Sequence, residues 1–149
     1  MKQLKRTACL LICAVALLGL STCEGTSDGG GPTITVTITG AGDREGKPFV
    51  VGVFPQGADI GGFPPAGILL NISGGSASGA AYDTTTGETF EATDGAQYDL
   101  SIYIDVNANL EPDIGDWSHK EMLKTITVDG DTVINTVYPG EYEMIPGPD

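Results

Sequence analysis

Residues 33–39 read Thr-Ile-Thr-Val-Thr-Ile-Thr. The alternation is unbroken over seven residues and its period is two. It sends Ile34, Val36 and Ile38 to one face and the threonines to the other, the pattern of a strand with one face in a core and one in water. The mature part of the chain never replaces this period with a sustained helical one.

Strand signals recur at short intervals along the rest of the chain. Residues 49–54 are apolar on both faces and read as a central strand, with Gly52 marking a close backbone approach. Residues 55–65 form a Gly/Pro-rich loop carrying Phe63, and residues 68–72 a short apolar strand. Residues 80–83 give a weaker strand, and residues 88–93 alternate around Phe90. From 98 to 105, Tyr98, Leu100, Ile102 and Ile104 turn inward and Asp99, Ser101, Tyr103 and Asp105 outward. Residues 122–128 and 132–138 read as a hairpin through Asp129-Gly130, because both central residues tolerate positive φ. Residues 142–145 add an edge strand. With 22 glycines in the chain and turns at regular spacing, the fold expected is all-β. It is an antiparallel β-sandwich, immunoglobulin-like or transthyretin-like, of about 7–8 short strands. A lipocalin-like barrel would have longer and more even strands.

The N-terminal region is a separate problem. Lys2, Lys5 and Arg6 precede the apolar run Ala8–Leu20, the layout of an export signal, and the run is shorter than the roughly 20 residues of a membrane span. It ends in Leu20-Ser21-Thr22-Cys23, which resembles the lipobox of bacterial lipoproteins, departing from it at Thr22, where Gly or Ala is commoner. The resemblance implies lipidation of Cys23 as the first mature residue. Cys9 and Cys13 leave with the signal, so no disulfide staples the mature domain. The organisation expected is a signal peptide at 1–22, a flexible tether at 23–32, a β-sandwich domain at 33–145 and a tail at 146–149. The implied location is outside the cytoplasm, anchored by lipid to the outer face of the cytoplasmic membrane or to the outer membrane.

The formal net charge is −13. All 20 acids follow Cys23, against Arg44, Lys47, Lys120 and Lys124 as the remaining bases, so the mature chain is more acidic still. Such a surface repels nucleic acid and anionic lipid head groups. Membrane attachment must therefore come from the lipid on Cys23.

Residues 105–116 are the one internal segment whose spacing names a chemistry. Asp105, Asn107, Asn109, Glu111, Asp113 and Asp116 place oxygens at loop positions 1, 3, 5, 7, 9 and 12, the spacing with which a loop wraps a calcium ion. The segment resembles the calcium loop of the EF-hand and dockerin families over those twelve residues. Leu110 stands where those loops have Gly, Pro112 lacks the N–H that pairs two such loops, and Asp116 replaces a longer Glu. The preceding segment is a strand, not a helix. The resemblance implies a structural Ca2+ in an inter-strand loop, with Gly115 taking the special backbone angle. The plain alternative is an Asx-rich surface turn.

Other chemistry is sparse. His119 is the only histidine and reads as a surface residue beside a turn. No nucleophile elbow accompanies Ser118, and a catalytic zinc would need more His or Cys ligands. Trp117 and Tyr103, with Phe63, could form an aromatic platform for a sugar. The function expected is a non-catalytic, lipid-anchored binding or assembly module whose partner is a protein or a glycan. The alternatives are a carbohydrate-binding module built on Trp117 and, less favoured, a small hydrolase.

Overall fold

The computed structural model describes residues 30–147. The export signal, Cys23 and most of the tether lie outside the described residues. Residues 31 and 32, assigned to the tether by sequence, already touch the domain: Pro32 accepts a hydrogen bond from the Ala92 N–H at 2.8 Å.

The described chain is all-β apart from one 3-10 turn at Gly42–Arg44. Ten strands form two sheets. The smaller sheet has the order β4-β1-β9, with β1 at Ile34–Thr39, β4 at Ala77–Ala80 and β9 at Thr132–Val137. The larger sheet has the order β10-β7-β6-β2-β3-β5. Its strands are β2 (Pro48–Pro55), β3 (Ala66–Asn71), β5 (Tyr82–Asp83), β6 (Gln97–Ile104), β7 (Trp117–His119) and β10 (Tyr142–Met144). β8 (Lys124–Thr127) also belongs to it. It pairs with the first half of β6, while β7 pairs with the last two residues of that strand along the same edge.

The core lies between the sheets. The alternation of β1 buries Ile34, Val36 and Ile38 completely, opposite Phe49, Val51 and Val53 of β2 and Leu100, Ile102 and Ile104 of β6. β2 sits between β3 and β6, the central position its two-sided apolar sequence predicts. Each of these side chains contributes about 1.5–3 kcal/mol through removal from water.

Three sequence expectations change. The Asp129-Gly130 turn does not close a hairpin. It carries the chain from β8 on the large sheet to β9 on the small one, and β9 then pairs with β1 in parallel. Gly130 keeps a positive φ of 59°. The corner is fixed by Asp94, which accepts from the Gly130 N–H, and by Asp131, which accepts from the N–H and hydroxyl of Thr33. The open edge of β1 is the partner that draws β9 away. The segment around Phe90 is not a strand, because its N–H groups go singly to Ala81 and Pro32 rather than into a ladder. The weak strand expected at 80–83 divides between the two sheets as β4 and β5.

Candidate functional site

The outer face of the large sheet faces away from the core. Across its middle, register places Gly67, Gly52 and Ser101 in one lateral row and Leu69, Val50 and Tyr103 in the next. The two glycines of the first row are buried because neighbouring groups pack directly onto them. A Cβ on Gly52 would come within 2.9 Å of the Phe54 ring, and one on Gly67 within 2.8 Å of the Val51 carbonyl oxygen. Two loops rise on either side. The β2–β3 loop supplies Ile60, Phe63 and Pro64, and the β6–β7 loop supplies Leu110, Glu111 and Pro112. The enclosed groove has a volume of about 530 Å³. Phe63 is 90% exposed, the most exposed of the large apolar side chains.

The β6–β7 loop is the acidic segment 105–116, closed at its base by the pair Ile104–Trp117. Asp105 and Asp116 are buried, although sequence alternation points Asp105 to water. Each carboxylate binds two backbone N–H groups. Asp105 accepts from Ala108 at 2.6 Å and from Leu110 at 2.7 Å. Asp116 accepts from Val106 at 2.7 Å and from Asp113 at 3.1 Å. The Asn107 and Asn109 carbonyl oxygens accept from the N–H groups two residues on, and their amide groups donate to the Asp113 carboxylate. Ala108 and Leu110 adopt left-handed φ values of 63° and 66°, and Gly115 one of 97°. Leu110 thus makes, without glycine, the turn that EF-hand loops make with it, and the two bonds to Asp105 hold it there.

The loop is also tied from outside. Tyr103 donates its hydroxyl to the Leu110 carbonyl at 2.8 Å, and Lys47 its ammonium group to the Val106 carbonyl at 2.7 Å. Gly115 and Asp116 exchange backbone bonds with Ile145. Burial, followed by the charges of Asp105, Asp116 and Glu111, pushes the Tyr103 phenol up to about 12.

As a cation site, the loop has the right kinds of oxygen. Asp105, Asp113, Asp116, Asn107 and Asn109 share one small loop, and neither buried carboxylate has a lysine or arginine as ion-pair partner among the described residues. No cluster of three or more His, Cys, Asp or Glu side chains poised for a metal occurs among the described residues. The oxygens are turned to N–H donors, and Glu111 is exposed and among the residues that line the groove.

Trp117 and Tyr103 do not share a face. Trp117 is on the inner side, edge-on to Tyr138 at 5.2 Å, with the Arg44 guanidinium 5.1 Å from its ring centre. Tyr103 and Phe63 do come together in the groove, joined there by Tyr82. Tyr82 carried no distinguishing sequence signal; only the pairing of β5 with β3 brings it in. His119 is buried rather than exposed. Its Nδ1 meets the Glu121 N–H, its ring lies edge-on to Tyr142, and its Nε2 has no partner.

Compared with protein-family models, with curated proteins and with solved structures, the chain matches none.

Proposed function

We propose that this protein is a non-catalytic binding module of the bacterial cell envelope, exported and held at a membrane by a lipid on Cys23, which captures its ligand in the groove on the outer face of the larger sheet. The observation that carries the reading is the groove itself. It lies on the side of the sheet away from the core, is lined by Phe54, Phe63 and Tyr82, and has a volume in the range of ligand sites. Among the described residues that line it, Glu111 is the one charged at neutral pH. A sugar platform here would use Phe63 and Tyr103 with Tyr82 in place of Trp117.

Anchoring is supported by the basic start, the apolar run and Cys23. Mass spectrometry of the mature N-terminus tests it. Diacylated Cys23, and release of the protein from membranes by Cys23→Ser, are the expected results; an unmodified residue at another start contradicts the anchor.

A structural calcium ion in the loop completes the proposal. Asp105, Asp113 and Asp116 would supply the anionic oxygens, and Asn107 and Asn109 would swing their amide groups off Asp113. Two buried carboxylates whose bonds are to neutral N–H groups support it, since those dipoles offset part of the cost of burying the charge and a cation would offset more. Melting in millimolar calcium against EDTA decides: a higher Tm in calcium is expected, and identical melts remove the ion.

A further inference from the structure

The groove combines three properties that together select an occupant. Its floor is closed and apolar: Gly52 and Gly67 are buried, and the Phe54 ring packs over Gly52. It is lined by Phe63 and Tyr82, whose ring faces attract a positive charge as well as apolar surface, while Tyr103, 5% exposed, backs them from the sheet.

The third property is charge. One wall is the acidic loop. Glu111 lines the groove and has no ion-pair partner among the described residues, with Asp105, Asp113 and Asp116 in the same loop behind it. No lysine or arginine is among the described residues that line the groove. Burial first, and then Asp105, Asp116 and Glu111, push the Tyr103 phenol up, the direction that the charge of this wall dictates. An anion would meet that potential and the −13 charge of the whole chain.

Resting on the reading of this groove as the binding face, we propose that its ligand is a small organic cation. Its apolar or aromatic body lies against Phe54 and Phe63, and its ammonium head sits at the Glu111 end. Apolar contact gives affinity and the acidic wall gives selection, rejecting carboxylates and favouring a cation over its uncharged isostere.

The test titrates the full chain with four probes while amide NMR shifts and heat are followed. The probes are benzyltrimethylammonium, its neutral carbon isostere neopentylbenzene, benzoate, and methyl glucopyranoside. Benzyltrimethylammonium should bind at least about tenfold more tightly than the neutral isostere, a preference that rising salt reduces. Glu111→Gln should remove most of that preference while leaving neopentylbenzene affinity unchanged, and Phe63→Ala should weaken both probes. Equal binding of charged and neutral probes, or tighter binding of benzoate or the glucoside in the groove, overturns the organic cation but leaves the groove as the binding face. Shifts confined to other surfaces, or no binding by any probe, overturn both readings.

Discussion

The two loops that wall the groove are built in opposite ways. In the β6–β7 loop, two buried carboxylates each bind two backbone N–H groups, and Asn107, Asn109 and Asp113 close a further network around them. The β2–β3 loop has far less to hold it. Its bonds lie at its two ends: Gln56 donates to Gln97, Gly57 to Asp99 and Ala58 to Pro55 at the start, and Thr84 donates to the Pro64 and Pro65 carbonyls at the finish; between them Gly61 donates only to the nearby Asp59. Ile60 and Phe63 hang from it largely exposed. One wall is fixed by internal polar bonds and the other is free to adjust. A groove with one rigid and one adaptable side can hold its electrostatics constant while its aromatic side closes on a ligand.

The largest effect that would break this contrast comes from the buried carboxylates. Asp116→Ala or Asp105→Ala leaves two N–H groups without acceptors and should cost about 2–4 kcal/mol in urea unfolding. A loss below about 0.5 kcal/mol would mean that the loop is not held as described. Next is Tyr103→Phe, which removes only the bond to the Leu110 carbonyl. It should cost about 0.5–1.5 kcal/mol, with faster amide exchange concentrated at residues 108–112. Phe63→Ala sharpens the comparison from the other side. It should change stability by less than about 0.5 kcal/mol, since that ring is in solvent.

Asp131 extends the same device to an exposed corner, where it accepts from the N–H and hydroxyl of Thr33 and its pKa falls below the ordinary 3.8. A lowered carboxylate contributes stability that is present above its ordinary value and lost as pH falls through its own lower one. Asp131→Asn should therefore lower Tm slightly at neutral pH, and the gap should close in strong acid. A gap that widens in acid contradicts the assignment.

Much of the fold was legible because burial imposes a period. The alternation at 33–39, the two-sided apolar run at 49–54 and the inward set from Tyr98 to Ile104 all occupy the places their patterns predict. The failures are tertiary. Asp-Gly marks a chain reversal equally well whether the next strand stays in its sheet or crosses to another, and only the open edge of β1 decides. Alternation said that Asp105 faces water; the loop folding back over it with its own N–H groups supplies the burial. Trp117 was grouped with Tyr103 because both adjoin the acidic loop, yet the Ile104–Trp117 and Tyr103–Ser118 pairs put them on opposite faces. Tyr82 entered the site through a two-residue strand too short to give a pattern.

The central claim is that ligand enters on the outer face of the large sheet, between a fixed wall and an adjustable one. Hydrogen–deuterium exchange of the full chain, free and saturated with benzyltrimethylammonium, tests it most directly. In the free protein the amides of Val106, Ala108, Leu110 and Asp113 should be protected and those of residues 59–63 should exchange rapidly. On binding, protection should rise at 59–64 and stay unchanged at 105–116. Rapid exchange throughout 105–116, or protection appearing around Trp117 and Tyr138 on the inner face instead, would contradict the account.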